Sequence, residues 1–263
     1  MTDDERREYV QRRCDAANAA VGTLNEKDGL NCDRCHNKGF VYKVVENDVN
    51  GRKDYSEVAY PCDCKPARET ILRWQRSGLT NATKRYTFKL YQTPEEWQKK
   101  IKAAAIDFCR SDGGVFFIGG QSGAGKTHIC TAMARQFLKD RKAVYYMLWT
   151  DEVVKLKADI MDEAYQKRMN ELKTVEVLYI DDFLKPVGEL RSSDIRLAYE
   201  LLNNRYINGG YTIISSERLI EEITDIDEAT GGRIIEYSEG HMFNITPDRS
   251  KNWRLKGKGV TVL

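Results

Sequence analysis

The segment from Gly120 to Thr127 has the residue types and the spacing of a phosphate-binding loop. It matches the pattern GxxxxGK(S/T) at every position, with Gly120, Gln121, Ser122, Gly123, Ala124, Gly125, Lys126 and Thr127 in order. Glycines allow successive backbone N–H groups to face inward, where they bind phosphate oxygens together with the N-terminus of the following helix. Lys126 is expected to reach the β- and γ-phosphates of a nucleotide, and Thr127 to offer its hydroxyl to Mg²⁺. The alternative is an ordinary glycine-rich turn, but the apolar run before the segment and the helical pattern after it favour the phosphate site.

Two consecutive carboxylates supply the second half of the predicted site. The run 175–180 is apolar except for Glu176 and is followed directly by Asp181 and Asp182. Asp181 is expected to hold Mg²⁺, directly or through water, and Asp182 to orient or activate the attacking water. A strand followed by an acidic helix cap is the alternative, and it is weaker beside a phosphate-binding loop. The two segments together predict an ATP·Mg²⁺ site, and the short side chain of Asp182 is compatible with slow hydrolysis.

Serine and arginine side chains elsewhere could complete this site. The strand predicted at 211–214 ends in Ser215 and Ser216. Ser216 could sense the γ-phosphate or position water, or a serine here could cap the helix that starts near Glu217, and both interpretations stay open. An arginine from the same chain or from a neighbouring subunit stabilises the transition state of γ-phosphate transfer. The candidates by position, for each of which a surface salt bridge is the simpler interpretation, are Arg205, Arg233 and Arg254.

Four of the seven cysteines lie close together with the spacing of a zinc site. They form two pairs, Cys32 with Cys35 and Cys62 with Cys64. Four thiolates suit a closed tetrahedral Zn²⁺ site, and metal binding would supply the folding free energy of a unit with little core of its own. Four free, buried thiols are the alternative, and His36 is a poorly placed substitute ligand because it directly follows Cys35. Packing is the expected role of the isolated Cys14, Cys109 and Cys130.

The elements that must position these residues follow an α/β pattern from Tyr86 onward. Strands are predicted at 114–118, 143–148, 175–180, 211–214 and 242–245, and helices at 97–110, 126–139, 151–172 and 193–206. Strands that alternate with helices form a mainly parallel sheet flanked by helices, the fold class of the P-loop NTPases. Residues 1 to about 30 and 66–76 read as helices on either side of the cysteine segment. We therefore expect a helical, zinc-binding module over 1–78 and an ATPase core over 79–263.

Composition limits the class of protein. The chain has 263 residues, of which 41% are hydrophobic and 31% are charged, so a buried core and a solvated surface are feasible. A formal net charge of +2 neither demands nor excludes a nucleic-acid partner. No stretch approaches the roughly 20 apolar residues of a membrane span, and the charged N-terminus lacks the apolar core of a signal peptide. We expect a cytoplasmic protein whose cysteines are not paired in disulfides.

A series of further motifs follows the cysteine segment in a fixed order. It comprises Arg73–Leu79, Tyr86–Phe88, a helix bearing Trp97, Gly125–His128, Val144–Trp149, Leu178–Lys185, Ser193–Ile195, Asn204–Tyr206 and Thr212–Glu217. The ordered series covers nearly the whole chain and resembles the DnaC/DnaI-like replicative helicase loaders, in the phage and prophage branch of these AAA+ ATPases. Ser215-Ser216 departs from the Ser-Asn ending of many relatives, which leaves the γ-phosphate sensor open.

The resemblance implies partners and roles that spacing does not. The AAA+ core would bind ATP and single-stranded DNA and could form a homo-oligomer on ATP binding. The zinc module would dock on a hexameric DnaB-type helicase, so that the ring is opened or delivered. His128 and Arg254 would lie near the nucleotide, and Arg233 would be the arginine supplied to a neighbouring subunit, ahead of Arg205.

Basic residues after the second predicted strand could contact DNA phosphates without reading sequence. The sequence offers Lys155, Lys157, Lys167 and Arg168. A solvated helix face of mixed charge is the favoured alternative for this group.

Two other functions stay open beside helicase loading. A transposase-accessory ATPase of the same family usually lacks a cysteine module, so the segment from Cys32 to Cys64 argues against that function. A protein that inhibits a host helicase would hold ATP mainly as a conformational switch. Asp182 and Ser216 are compatible with such a regulator.

Overall fold

A computed structural model of the chain contains two units, Met1–Arg76 and Ser77–Leu263. The structure describes residues 2–49, 52–76, 85–159, 162–186 and 188–255. The helix break predicted at Ser77-Gly78, and with it the predicted boundary after residue 78, lies outside these residues. None of the helices in the described ranges combines the length and the apolar character needed to cross a membrane.

The first unit combines helices with a long β-hairpin. Its elements are helix α1 (Asp3–Ala19), helix α2 (Leu24–Asp28), strand β1 (Phe40–Val49), strand β2 (Arg52–Pro61) and helix α3 (Lys65–Arg76). β1 and β2 pair antiparallel over their whole length. The single helix predicted over the first 30 residues is two helices. The chain turns at Gly22, where a Cβ would overlap the backbone of Asn37.

Parallel strands form the sheet of the second unit. They are β3 (Gly114–Gly120), β4 (Val144–Leu148), β5 (Val177–Asp181), β6 (Tyr211–Ser215) and β7 (Met242–Ile245). Their spatial order is β4-β5-β6-β3-β7, and every neighbouring pair is parallel. The predicted parallel sheet is thereby confirmed.

Helices flank this sheet, as predicted. They are α4 (Glu96–Phe108), α5 (Lys126–Lys139), α6 (Trp149–Ala158), α7 (Glu163–Thr174), α8 (Ser192–Asn208), α9 (Ile220–Ile226) and α10 (Glu228–Ser238). The helix predicted over 151–172 is α6 and α7 instead. Aspartates separate them, since Asp favours turns and caps over helix interiors, and the N–H of Asp162 donates to the carbonyl of Asp159 (2.8 Å).

Burial explains why the strands read as continuous apolar runs. Every residue of β5 and β6 is buried, as expected for a parallel sheet covered on both faces. Large side chains such as Trp149 and Phe183 pack into the same core. Because β3, β5 and β6 are neighbours, their carboxyl ends lie side by side. The residues that follow these strands therefore meet at one edge of the sheet, which is where α/β folds place ligands.

Candidate functional site

Glycines shape the loop between β3 and α5. Gly120 and Gly123 have φ angles of +99° and +75°. A Cβ at Gly120 would overlap the carbonyl of Ile245, and one at Gly123 would overlap the side chain of Asn252. Only glycine tolerates both the left-handed backbone and this close approach. The loop is thus held between β7 and the C-terminal segment, whose Trp253 N–H donates to the carbonyl of Gly123 (3.0 Å).

Lys126 lies inside this loop and is only 7% exposed. Its ammonium donates to the carbonyls of Gly120 (2.7 Å) and Gln121 (2.8 Å). Burial lowers the pKa of Lys126, and the carboxylates of Glu217 and Asp182 oppose this shift because they favour the charged form. The ammonium is a buried donor bound to neutral carbonyls, and phosphate oxygens would make stronger, charge-assisted hydrogen bonds with it.

Asp181 ends β5 beside the loop and is buried. Its carboxylate accepts hydrogen bonds from the hydroxyls of Thr127 (3.3 Å), Tyr146 (3.3 Å) and Ser215. Burial raises the pKa of Asp181, and the hydrogen bond from Ser215 counteracts that shift. The structure therefore brings together Thr127 and Asp181, the two predicted ligands of Mg²⁺. A carboxylate and a hydroxyl are the oxygen donors that fit this hard cation.

A cavity of about 380 Å³ lies over the loop, which is within the size range of small-molecule sites. It is lined by Tyr86, Leu90, Tyr91, Gln92, Gln98, Ser122, Gly123, Ala124, Gly125, Lys126, Thr127, His128, Asp182, Glu217, Trp253 and Arg254. The predicted residues 122–128, Asp182 and Arg254 thus face one space. Tyr91 and Glu217 face it as well, although the sequence motifs predict no site role for either residue.

Asp182 and Glu217 place two carboxylates at the same edge of the sheet. Asp182 has a φ of +55°, in the left-handed region. The ammonium of Lys185 lies 3.1 Å from Asp182 Oδ2 and 3.3 Å from Glu217 Oε1. The contact with Asp182 contributes most to raising the pKa of Lys185, and the contact with Glu217 adds to it. The lysine is therefore charged. The sequence held one signal for this triad, namely that Lys185 and Glu217 each follow a predicted strand of the parallel sheet.

Ser216 is fully buried beside this triad. Its hydroxyl donates to the carbonyl of Phe183 (2.8 Å) and accepts from the N–H of Arg218 (3.1 Å). The role of Ser216 as a γ-phosphate sensor stays a prediction. In the structure its hydroxyl joins the loop after β5 to the loop after β6. The helix-cap interpretation is corrected, since α9 begins only at Ile220.

His128 packs against two tyrosines that line the cavity together with the phosphate loop. Its ring stacks on Tyr86 (centroids 4.8 Å apart) and packs edge-on against Tyr91 (5.2 Å). Its Nε2 lies 3.0 Å from the carbonyl of Thr87, to which it donates. Burial lowers the pKa of His128, so the imidazole is neutral at neutral pH. The segment 86–91 is thereby held against α5 as an aromatic wall on which a nucleotide base could stack.

The three candidate arginines lie in different environments. Arg254 is exposed at the rim of the cavity. Arg233 lies on α10, where its guanidinium contacts Asn203 Oδ1 (3.1 Å) and the ring of Tyr206 (4.5 Å to the centroid). Arg205 is 2% exposed, and burial lowers its pKa to about 10.

The buried position of Arg205 excludes it as an arginine supplied to another subunit. Its guanidinium donates to the hydroxyl of Thr212 (2.9 Å) and to the carbonyls of Leu172 (3.0 Å), Val175 (2.8 Å) and Tyr211 (2.8 Å). Arg205 therefore fastens the end of α7 to β6, and its role is structural.

The basic residues considered for DNA contact are mostly paired with carboxylates. Arg168 and Lys155 contact Glu152 at 2.8 Å and 3.7 Å, and Lys157 contacts Asp194. Lys167 is exposed. α6 and α7 thus present a surface of mixed charge, as the alternative interpretation predicts.

The four paired cysteines converge in the first unit. Cys32, Cys35, Cys62 and Cys64 are buried, and their sulfur atoms all lie within 4.8 Å of one another. Burial would raise the pKa of Cys35, but hydrogen bonds from the N–H of Gly39 and from neighbouring thiols bring it to about 7. Four convergent sulfurs fit a closed tetrahedral zinc site.

A buried ion pair between Arg68 and Asp28 lies beside this cluster. Arg68 Nε lies 3.3 Å from the sulfur of Cys64, and Arg68 Nη1 contacts both oxygens of Asp28 at 2.7 Å. A guanidinium at this place would offset the negative charge of thiolates bound to a metal, as outer partners of metal ligands do.

Comparisons with known proteins agree with this site. The family described as IstB-like ATP binding protein matches residues 69–229, more than half of the chain. The phage-like element PBSX protein XkdC of Bacillus subtilis (strain 168) is 32% identical over 243 residues, which are 86% of this chain and 86% of XkdC.

Two solved structures share the fold. The DnaC helicase loader is 17% identical, with a TM-score of 0.52 over 62% of this chain and 97% of its own. DnaI is 16% identical, with a TM-score of 0.53 over 63% of this chain and 93% of its own. The predicted resemblance to DnaC/DnaI-like proteins is confirmed in fold. With the phosphate loop, Asp181 and the shared cavity in place, the chain belongs to the family of IstB-like ATP-binding proteins.

Proposed function

We propose that this protein is an ATPase that loads a DnaB-type replicative helicase onto single-stranded DNA during replication initiation. The proposal depends on one observation, the convergence of the loop lysine and the acidic strand on a single cavity. Lys126 lines that cavity, and Thr127 and Asp181 meet at 3.3 Å beside it.

Each residue has a role in that chemistry. The loop amides and Lys126 would hold the β- and γ-phosphates. Thr127 and Asp181 would hold Mg²⁺, which supplies positive charge to the phosphate oxygens. Asp182 would orient the attacking water and accept its proton. Arg233 would act on the nucleotide of a neighbouring copy, for which its position on α10, outside its own cavity, is suitable.

Helicase loading is supported by the fold shared with the DnaC helicase loader. The first unit, with its four convergent cysteines, would dock on the helicase, while the second unit binds ATP and DNA. A transposase-accessory role is less well supported, because such proteins usually lack a cysteine module.

Lys126→Ala tests the nucleotide site. Binding of Mg·ATP by calorimetry and phosphate release should both fall, on the order of a hundredfold or more, because a preorganised charged donor is lost. Turnover of the wild type should rise when single-stranded DNA and helicase are added. Lys173→Met is the control, since Lys173 forms a partly buried ion pair with Glu200 (2.6 Å) and does not line the cavity. Retained ATP affinity in Lys126→Ala would contradict the site.

A regulator that inhibits a host helicase is the second candidate. The ion pair between Lys185 and Asp182 favours it, because the lysine ammonium occupies the carboxylate that would orient the attacking water, and turnover would be slow. A loading assay on circular single-stranded DNA separates the two functions. A loader increases the amount of helicase on the DNA when ATP is present, whereas an inhibitor decreases unwinding and loads none.

A further inference from the structure

Lys185 connects the two carboxylates that face the phosphate end of the cavity. Its ammonium lies 3.1 Å from Asp182 and 3.3 Å from Glu217, and both carboxylates line the cavity. Glu217 and Asp182 are also the acidic groups that act most strongly on Lys126. The triad of Asp182, Lys185 and Glu217 therefore lies next to the place where Lys126 would hold a γ-phosphate.

The two loops that carry the triad are fastened to each other. The hydroxyl of Ser216 donates to the carbonyl of Phe183 (2.8 Å), and Arg218 Nε donates to the carbonyl of Leu184 (3.2 Å). These bonds fix the backbone on both sides of the triad. The side chain of Lys185 can change partners while the loops stay in place, since it has a flexible four-carbon stem.

The ion pairs of Lys185 are exposed to water, so its ammonium can exchange one partner for another. The side chains of Lys185 and Glu217 are 39% and 43% exposed, and that of Asp182 is 31% exposed. Ion pairs this accessible to water contribute little, because the surrounding dielectric is high. A γ-phosphate held by Lys126 would add about two negative charges beside Asp182 and Glu217, the partners of this ammonium, whereas ADP adds none at that position. The γ-phosphate is thus a strong competitor for Lys185.

We propose that Lys185 discriminates ATP from ADP by exchanging its carboxylate partners for the γ-phosphate. The exchange frees Asp182 to act on the attacking water, so that the base becomes available only when ATP is bound. Lys185 then has the sensing role for which the sequence offered Ser216. This inference rests on the proposed nucleotide site.

The test compares the affinities of wild type and variants for ADP and for a non-hydrolysable ATP analogue, both with Mg²⁺, by calorimetry on the full chain. In Lys185→Met the preference for the triphosphate should fall about tenfold, the range of one charge-assisted hydrogen bond, while ADP affinity changes less than about twofold. Lys185→Arg should keep most of the preference. Glu217→Gln should increase the preference, because it removes one competitor for the ammonium.

Lys173→Met serves as the control, since it removes a lysine from a partly buried ion pair with Glu200 that does not line the cavity. An unchanged preference in Lys185→Met, or an equal loss for both nucleotides, would overturn the inference. A fall in preference in Glu217→Gln would overturn it as well. These outcomes differ from failure of the proposed function, in which the wild type binds neither nucleotide or Lys126→Ala binds both normally.

Discussion

Two arginines of the second unit show how burial decides what a side chain does. Arg205 is enclosed by carbonyl oxygens and the hydroxyl of Thr212, so its five-donor guanidinium works as a clamp. Arg233 lies over the ring of Tyr206 and pairs with Glu236 at the surface (3.1 Å). The first arginine should matter for folding and the second for assembly.

We expect Arg205→Met to lower the free energy of unfolding by about 3 kcal/mol or more, because several buried carbonyls lose their donor. Arg233→Met should change it by less than about 1 kcal/mol, since exposed ion pairs contribute little. Urea denaturation followed by circular dichroism measures both. A loss of less than about 1 kcal/mol in Arg205→Met would show that the guanidinium network of Arg205 is not needed for stability.

At the scale of elements, the packing of α9 against α10 depends on a single glycine. A Cβ at Gly231 would overlap Thr224, so the two helices approach at this point. Gly232, the next residue in the same helix, has open space around it. The two glycines form a matched pair in which only the surroundings differ.

Gly232→Ala should therefore stabilise the protein by about 0.5–1 kcal/mol, because alanine loses less backbone entropy in a helix. Gly231→Ala should destabilise it by about 1–3 kcal/mol, since the added methyl group overpacks the helix contact. Thermal unfolding of the two variants gives the comparison. A stabilising Gly231→Ala would mean that α9 and α10 are not packed as closely as described.

At the scale of the whole molecule, the two units depend on different sources of stability. The second unit has an extensive core around its sheet. In the first unit, the sulfurs of Cys32, Cys35, Cys62 and Cys64 form a cluster of their own with Leu30 and Val41 beside them. Such a small apolar cluster is the situation in which a metal supplies folding free energy.

Metal analysis of the full chain should find about one zinc ion per chain, and Cys35→Ser with Cys64→Ser should remove it. Hydrogen exchange should then accelerate in residues 2–76, while residues 85–255 stay protected and still bind ATP. Cys14→Ser is the control, since Cys14 is buried in α1 outside the cluster. A metal-free chain with a protected first unit would contradict the zinc site.

Contiguous patterns in the sequence determined much of this protein. The phosphate loop, the carboxylates at 181 and 182 and the cysteine pairs were recognisable because residue type and spacing alone specify their chemistry. The five strands were recognisable because burial on both faces leaves an apolar run. The α/β fold, the parallel sheet and the likeness to DnaC/DnaI-like proteins followed from these features.

Only the tertiary structure decided which side chains share the cavity. Ser216 and Glu217 are neighbours in a loop, where no helix or strand period fixes side-chain direction, and the fold turns the first inward and the second toward the cavity. Likewise, the sequence does not distinguish Arg205 from a surface arginine, because its carbonyl partners lie on α7 and β6. Such contacts join segments that are far apart in the chain. They can therefore stabilise the protein only after the sheet has brought those segments together.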